Sequence, residues 1–289
     1  MKIGTHSGPF HCDDVVAVAI LRLAGMTGEV VRTRDPAVLA GCDIVVDVGG
    51  IHDAVGGRFD HHQKGGAGSR PNGVAFSSAG LVWSHFGATI CGEEVAAIVD
   101  GALIAPVDAL DNGQGSRELL PGVDHVTLSD VVSSLNPCWH EQGDFDGAFA
   151  RAVEFAQMIL GRAIESGRGE ILAREGARAA LAAALDEGKI VVLDRFMPVM
   201  NMVVDGSAEA RFLVFPQAGD WLVQAVPVAG QPFSQRLPLP AAWAGLRGAD
   251  LAALTGVADS VFCHNGRFIG GAGSREGAIA LARLALAAG

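Results

Sequence analysis

The chain has 289 residues, 49% of them hydrophobic, which is enough for one large domain or two ordinary ones with a sizeable core. Its net charge of −11 argues against a broad basic surface for long nucleic acids, although a short oligonucleotide or a nucleotide held by metal ions stays compatible. Five scattered cysteines without a Cys-x-x-Cys pair indicate neither a disulfide framework nor a zinc knuckle. No apolar leader is present and no apolar run reaches the ~18 residues of a membrane span, so we expect a cytoplasmic protein without a membrane partner.

The first part of the chain predicts strands and helices in alternation. Strands are predicted at residues 2–5, 29–33 and 43–48. Helices are predicted at residues 15–21, 36–41, 78–87 and 93–103. The strand at 43–48 is almost continuously apolar, as in a parallel sheet covered on both faces. Asp35-Pro36 supplies an N-cap and a proline for the first turn of the following helix. These elements predict an N-terminal α/β domain built on a parallel sheet.

Histidines and carboxylates gather where these elements end. They are His6, His11, Asp13 and Asp14 after the first strand, Asp47 after the third, the run Asp60-His61-His62, and Asp108 with Asp111 before an Asn-Gly turn. Taken singly, each cluster also fits a helix cap, a turn or a solvated loop. Ligands of open parallel sheets collect beyond the carboxyl ends of the strands. Because a two-metal site needs about two carboxylates and a histidine per ion, the combined inventory predicts such a site.

The character of the sequence changes after residue 143. A helical region is predicted over residues 144–188, bent or interrupted at Gly161, Gly167 and Gly169. Strands are predicted at residues 190–193, 211–215, 221–226 and 261–264, and a last helix at 276–288. Between strand and helix, the segment 270–273 is predicted to be a glycine-rich loop that offers backbone N–H groups to an anion, with Arg275 as a phosphate clamp. Such a loop can equally form a simple tight turn.

Stretches spread over nearly the whole chain resemble one family. They are IGTHSGPFHCD (3–13), VRTRDP (31–36), CDIVVDVGG (42–50), RFDHHQ (58–63), SSAGL (77–81), VDALDNG (107–113), LNP (135–137), RLPLP (236–240), GLR (245–247) and FIGG (268–271), together with Trp243. With them the chain resembles the DHH phosphoesterase superfamily, named for Asp-His-His, and within it the melanocyte proliferating gene branch.

The resemblance implies a fold and an activity. The expected fold is α/β, with a parallel-sheet DHH domain over residues 1–143, a helical linker over 144–188 and a smaller α+β substrate domain over 189–289. The expected activity is that of a divalent-metal-dependent phosphodiesterase, a 3′–5′ exonuclease on short RNA or DNA that uses a two-metal-activated water. A pyrophosphatase or small-molecule phosphoesterase with the same site is the alternative. A non-catalytic protein that binds nucleotide or metal is the alternative of another class.

Carried over residue by residue, the resemblance also implies a set of site residues. The expected metal ligands are His6, His11, Asp13, Asp47, His61 and Asp108. Asp47 matches the bridging carboxylate and His62 the histidine that faces the scissile phosphate, so the catalytic residues are expected to be His62, Asp47 and Asp13. His11 stands where the superfamily usually has an aspartate, and imidazole in place of carboxylate favours Mn, Zn or Fe over Mg. We therefore expect two Mn²⁺ ions, with Mg²⁺ as the alternative, and Asp14 and Asp111 as residues that orient ligands or waters.

The substrate is expected to be a short oligonucleotide or a nucleotide-like molecule. The residues expected to contact it are His62, Arg236, His264, Gly270, Gly271, Gly273, Ser274 and Arg275. The choice between RNA and DNA, the substrate length and the end polarity stay open at this point, as does a homo-oligomeric state.

Overall fold

A computed structural model describes residues 1–115 and 118–289, which form two compact units, Met1–Arg168 and Gly169–Gly289. The first unit contains a five-stranded sheet. Its strands are β1 (Lys2–Thr5), β2 (Glu29–Arg32), β3 (Ile44–Val46), β4 (His52–Asp53) and β5 (Arg58–Phe59), in the spatial order β2-β1-β3-β5-β4. β1 runs parallel to β2 and β3, and β3 runs parallel to β5, whereas β4 is antiparallel to β5. The expected parallel sheet is thus confirmed, with one antiparallel strand at its edge.

The first unit also contains several helices. They are α1 (Cys12–Leu23), α2 (Pro36–Ala40), α3 (Ser78–Cys91), α4 (Glu93–Val99), α5 (Ala105–Asp111) and α6 (Leu128–Ser133), and a short hairpin joins β6 (Glu118–Leu120) to β7 (Val123–Asp124). The side chains of α1 from Val15 to Leu21 are fully buried. A helix that is apolar on all sides must be enclosed by other elements. Accordingly, α1 packs against β3 and against α3, α5 and α6.

Two helix boundaries differ from those predicted. α3 continues past Gly87 because the missing side chain leaves room for the Trp83 ring; a Cβ at Gly87 would lie 2.9 Å from Trp83 Cε2. From Glu93 to Asp111 the chain is helical throughout, since a π-helical turn, Asp100–Ile104, joins α4 to α5. Asp108 and Asp111 were predicted to mark the end of an element. They lie about one turn apart on α5, and Asp111 is its last residue.

The longest helix, α7 (Phe145–Ala182), contributes residues to both compact units. The helix continues without a break through Gly161, Gly167 and Gly169, so the predicted interruption at these glycines was wrong. Glycine costs a helix only about 1 kcal/mol relative to alanine, which the surrounding Ala, Leu, Glu and Arg residues offset. The predicted boundaries at 143 and 188 stay predictions. Within the described ranges 1–115 and 118–289, no helix has the length and apolarity needed to cross a membrane.

The second unit is built on another five-stranded sheet. Its elements are β8 (Ile190–Val192), α8 (Met200–Gly206), β9 (Phe212–Gln217), β10 (Asp220–Ala225), β11 (Pro227–Val228), β12 (Gln231–Gln235), α9 (Gly248–Thr255), β13 (Ser260–Cys263), β14 (Ile269–Ala272) and α10 (Arg275–Ala288). The spatial order is β13-β14-β10-β9-β8, and β11 pairs with β12 in a separate hairpin. Phe212 and Val214 belong to one buried cluster and Leu213 and Phe215 to another, because successive strand residues face opposite sides of a sheet.

The predicted glycine loop is largely a strand. Gly270 and Gly271 lie in β14, which pairs with β10 on one side and β13 on the other. A Cβ at Gly270 would lie 2.9 Å from the carbonyl oxygen of Phe262. Glycine in a strand interior often marks such a close approach of another backbone. The prediction placed the loop too early in the chain, and only Gly273 and Ser274 separate β14 from α10.

This packing predicts that alanine is tolerated at one glycine of this segment and not at another. We expect Gly270→Ala to lower the free energy of unfolding by about 1–3 kcal/mol, because overpacking forces a backbone to move. Gly273→Ala is the matched control, since its Cβ would meet its nearest neighbour, Asp259 Cβ, at an ordinary 3.7 Å. Urea denaturation of both variants measures the difference. Equal stability of the two variants would show that β14 tolerates a side chain at Gly270.

Candidate metal centre

The parallel sheet brings its polar residues to one edge. His6 follows β1, Asp47 follows β3 and Asp60-His61-His62 follows β5, while His11, Asp13 and Asp14 lie at the start of α1 and Asp111 at the end of α5. Because β1, β3 and β5 are parallel, their carboxyl ends meet at the same edge. The clustering predicted from the sequence therefore has a simple topological cause.

Asp47 lies at the middle of the cluster in an unusual backbone conformation. Its φ is +57°, in the left-handed region, and its side chain is buried. Aspartate and asparagine tolerate this region better than most residues, and such conformations persist where the surrounding structure holds them. Here the N–H of Asp47 donates to the carbonyl of Phe59, and the Ser78 hydroxyl donates to Asp47 Oδ1 at 3.0 Å.

Each oxygen of Asp47 faces a different histidine. Asp47 Oδ2 lies 3.4 Å from His6 Nε2, and Asp47 Oδ1 lies 3.4 Å from His61 Nε2. His6 Nε2 also lies 3.0 Å from Asp14 Oδ2. His61 Nε2 lies 3.2 Å from Asp111 Oδ2, and 3.8 Å from a carboxylate oxygen of Asp13. One carboxylate therefore stands between two sets of donor atoms.

Despite these close contacts, several of the buried atoms make no hydrogen bond of acceptable geometry with the described residues. They are His6 Nε2, His61 Nε2, Asp13 Oδ1 and Asp14 Oδ2. Buried polar atoms almost always have a partner, so unpartnered ones require an explanation. The described residues contain three sets of donor atoms, and within each set the atoms lie no more than 4.8 Å apart. The sets are His6, His11 and Asp47; Asp47, His61 and His62; and His11, Asp13 and Asp111. Imidazole nitrogens and carboxylate oxygens in this arrangement fit divalent cations.

The electrostatics of the cluster favour the same interpretation. Burial and the neighbouring carboxylates of Asp47, Asp111 and Asp14 raise the pKa of Asp13 well above its usual value. Burial alone would lower the pKa of His6, but the carboxylates of Asp14 and Asp47 raise it to about 10. Crowded carboxylates resist ionisation unless positive charge lies nearby. A bound cation would supply that charge.

Asp60 has a different task from its neighbours in the Asp-His-His run. It is buried, and its carboxylate accepts hydrogen bonds from the backbone N–H groups of Gly50 and His62. Its Oδ1 also lies 2.7 Å from Nδ1 of the His62 ring, whose side chain is 60% exposed. Because an ionised carboxylate can only accept, Nδ1 of His62 carries the hydrogen in this contact. Asp60 therefore fixes the orientation of the exposed His62 ring.

The structure does not bring Asp108, a predicted metal ligand, into any of the three donor sets. Asp108 is fully buried and accepts hydrogen bonds from Arg70 Nη1 at 2.6 Å, the Ser77 hydroxyl at 2.5 Å and the backbone N–H of Gly80 at 2.9 Å. Asp111, one turn later on α5, belongs to the donor set of His11 and Asp13 instead.

The loop between β1 and α1 is held by residues far along the chain. Asn136 accepts from the N–H of Phe10 and donates to its carbonyl, both at 2.9 Å. Arg32 donates to the carbonyl of Gly8 at 2.6 Å, and its guanidinium lies 4.6 Å from the centroid of the Phe149 ring. These contacts fix the position of His11. Sequence reasoning gave no role to Asn136 or Arg32, although both lie in stretches that carry the family resemblance.

The residues predicted to contact substrate lie in the second unit, apart from His62. Arg236 donates to the carbonyls of Val204, Ser207 and Ala210. Ser274 caps α10, and Asp259 accepts from both the Ser274 hydroxyl and the Gly273 N–H.

His264 and Arg275 have looser surroundings. The His264 ring lies 4.5 Å from the Phe268 ring, and the Arg275 guanidinium lies 6.0 Å from the centroid of the Trp221 ring. The substrate role of these second-unit residues stays a prediction.

Comparisons with known proteins assign relatives to this chain. A family model described as Uncharacterised protein family (UPF0160), MYG1_exonuc, matches residues 2–286. The MYG1 exonucleases of Mus musculus and Homo sapiens are 36% and 35% identical over 322 residues, which cover 99% of this chain and 85% and 86% of theirs. A MYG1 protein of Schizosaccharomyces pombe is 34% identical over 99% of this chain and 97% of its own. A pGpG-specific phosphodiesterase of Vibrio cholerae covers 100% of this chain and 99% of its own at 15% identity, with a TM-score of 0.34.

Two substitutions on α5 distinguish a metal ligand from a residue that only stabilises the fold. We expect Asp111→Asn to lose bound Mn²⁺, because it removes a carboxylate from a donor set. We expect Asp108→Asn to keep bound Mn²⁺ but to lower the free energy of unfolding by about 3 kcal/mol or more, because it breaks a buried ion pair with Arg70. Metal content after equilibrium dialysis and denaturation of the metal-free proteins measure the two effects. Loss of Mn²⁺ from a stable Asp108→Asn protein would show that Asp108 is a metal ligand after all.

Proposed function

The chain belongs to the MYG1_exonuc family, in the DHH-like phosphoesterase group, and from that premise we propose that it is a divalent-metal-dependent phosphodiesterase, a 3′–5′ exonuclease on short RNA or DNA. The names of the mammalian relatives support the activity. The observation that carries the proposal is the position of Asp47, whose two oxygens each face a separate histidine. A carboxylate in that position is suited to bridge two ions.

The proposed ligand sets follow from the distances. His6, His11 and Asp47 would hold one ion. His61, with the three carboxylates that surround its Nε2, namely Asp13, Asp47 and Asp111, would hold the other. The three histidines in these sets favour Mn²⁺ over Mg²⁺, which prefers oxygen ligands. Asp14 is best placed to orient His6, since its Oδ2 lies 3.0 Å from His6 Nε2. Compared with the set expected from the family resemblance, Asp111 takes the place of Asp108.

Two divalent ions held there would supply acidity to a water molecule and positive charge to the phosphoryl oxygens. The contributions of the protein are then positioning and proton handling. Asp47, held by Ser78 and by its own backbone conformation, would fix the spacing between the two ligand sets. His62 would present Nε2 to the phosphate, because Asp60 occupies Nδ1 on the other side of the ring. A hydrogen bond from His62 Nε2 to a phosphoryl oxygen would stabilise the charge that develops there.

A smaller substrate is the second candidate. The cavity lined by His6, Asp47 and His62 measures about 270 Å³, below the 300–1,000 Å³ typical of small-molecule sites. Together with the net charge of −11, this size favours substrates with few phosphates. A pyrophosphatase or a small-molecule phosphoesterase would use the same residues.

The proposal is tested with 5′-labelled RNA and DNA of about ten nucleotides in Mn²⁺, beside pyrophosphate. We expect a ladder of shortened labelled products, because removal of nucleotides from the 3′ end leaves the label on the remaining chain. We expect Asp47→Asn to abolish this turnover while the protein stays folded, since asparagine also tolerates a positive φ. Asp53→Asn, at an exposed carboxylate that accepts only a local N–H, is the matched control.

The outcomes separate the candidates. If only pyrophosphate is hydrolysed, the exonuclease proposal is rejected in favour of the second candidate. Immediate release of labelled mononucleotides would show that the enzyme degrades from the 5′ end and not from the 3′ end. A folded Asp47→Asn protein with the activity of the parent would reject the bridging role of Asp47.

The predicted phosphate clamp gives a further test. We expect Arg275→Ala to lower kcat/KM about tenfold or more without loss of Mn²⁺, because a hydrogen bond to a charged group contributes about 1.5–3 kcal/mol. We expect Arg236→Ala to lower thermal stability instead, since its guanidinium satisfies three backbone carbonyls. Steady-state kinetics at saturating Mn²⁺ and thermal melts of both variants measure these effects. An Arg275→Ala protein with kcat/KM within twofold of the parent would remove Arg275 from substrate binding.

A further inference from the structure

An apolar cavity of about 390 Å³ lies on the face of the first sheet that α2 covers. Its floor consists of Leu39 on α2, Val45 on β3 and Val48 just beyond β3, and Ile51 stands at its rim. The cavity has a clear origin: α2 has five residues and extends only about 7.5 Å, too little to cover the sheet between β2 and β3. Ile51 is 56% exposed.

This cavity adjoins the candidate metal centre. Arg34, Val48 and Gly49 line it, and the same residues line the smaller cavity formed by His6, Asp47 and His62. A molecule whose phosphate lies at the metal centre therefore has the apolar cavity as its immediate neighbour. The volume of about 390 Å³ falls within the range of small-molecule binding sites.

Two arginines border the apolar surface, and they differ in their partners. Arg58 donates to the carbonyls of Cys42, Asp43, Gly56 and Gly57, so it forms a fixed wall. Arg34 is exposed, and its Nη2 lies 3.2 Å from His6 Nδ1, where the two cavities join. A guanidinium at that junction can pair with a phosphate oxygen or stack on a flat ring.

We propose that the apolar cavity is the subsite for the nucleoside whose 5′-phosphate ester is hydrolysed. This proposal rests on the proposed function. In this proposal Leu39, Val45, Val48 and Ile51 contact the base, and Arg34, which lines both cavities, lies beside the sugar and phosphate that join the base to the metal centre. A nucleobase is the occupant that this surface fits, because it is flat and largely apolar on its faces, and a single sugar joins it to the scissile phosphate. The aliphatic walls carry no pattern of hydrogen-bond donors and acceptors, so the subsite binds different bases alike.

The test compares two esters that both release 4-nitrophenolate: thymidine 5′-(4-nitrophenyl phosphate) and methyl 4-nitrophenyl phosphate, which lacks a nucleoside. We expect the Mn²⁺-loaded parent to have a kcat/KM at least about tenfold higher for the thymidine ester, from burial of the base. We expect Ala40→Trp, which fills the cavity from the end of α2, to lower the ratio of the two kcat/KM values toward one. Val38→Trp, on the same helix but outside the lining, is the matched control and should keep the ratio of the parent.

Binding provides a readout that does not depend on turnover. Calorimetric titration of the Mn²⁺-loaded protein with thymidine 5′-monophosphate and with inorganic phosphate should give at least about tenfold tighter binding of the nucleotide, lost in Ala40→Trp. If that pattern holds without hydrolysis of either ester, the proposed function fails and the subsite stands. If the parent has no preference for the nucleoside in either measurement, or if Ala40→Trp keeps the preference, the subsite is overturned. Should Ala40→Trp not fold, Ala40→Leu carries the same test, since leucine is a good helix former.

Discussion

The first unit depends on the burial of like charges in one place. Asp13, Asp14 and Asp47 are each almost fully buried, and Asp111 lies close to Asp13. Bringing carboxylates out of water and beside one another is costly unless cations or histidines offset their charge. His6 and His61 offset part of it, since the imidazoles beside Asp47 lower the pKa of its carboxyl despite its burial. The remaining charge and the unpartnered atoms mark this edge of the sheet as a candidate metal centre and not as a packed core.

The surrounding elements hold that cluster against its own repulsion. Arg70 forms ion pairs with Asp100 and Asp108, which ties the loop before α3 to the helical stretch that carries Asp111. Gly80 allows α3 to approach Asp108, because a side chain at that position would collide with the carboxylate. Ser77 and Ser78, at the start of α3, divide their hydroxyl groups between Asp108 and Asp47. The residues that hold the cluster and the carboxylates of the cluster itself therefore belong to one connected network of hydrogen bonds and ion pairs.

The sequence predicted the clustering of histidines and carboxylates better than it predicted the residues that hold the cluster in place. The ends of parallel strands locate His6, Asp47 and His61 by topology alone, so order along the chain was enough to bring them together. The choice between Asp108 and Asp111 was not accessible, because both lie on one helix and only the π-helical turn before α5 and the partners Arg70 and Ser77 decide which one faces the cluster. The glycines of β14 were mistaken for a loop, since glycine in a strand needs a neighbouring backbone to explain it. The apolar cavity beside α2 was also hidden, because it arises from the shortness of a helix and not from any motif.

The contacts that hold the loop between β1 and α1 also affect when the site can form. Phe10 is fixed by Asn136, 126 residues later, and Arg32 joins that loop to the carbonyl of Phe145, 113 residues beyond Arg32. During synthesis, the ribosome must therefore deliver most of the first unit before the loop that contains His11 has its final backbone. Contacts of such long sequence separation form late because closing the intervening chain costs entropy. A nascent chain can thus possess all its histidines and carboxylates without yet offering a finished metal centre, and the site matures only with the fold that encloses it.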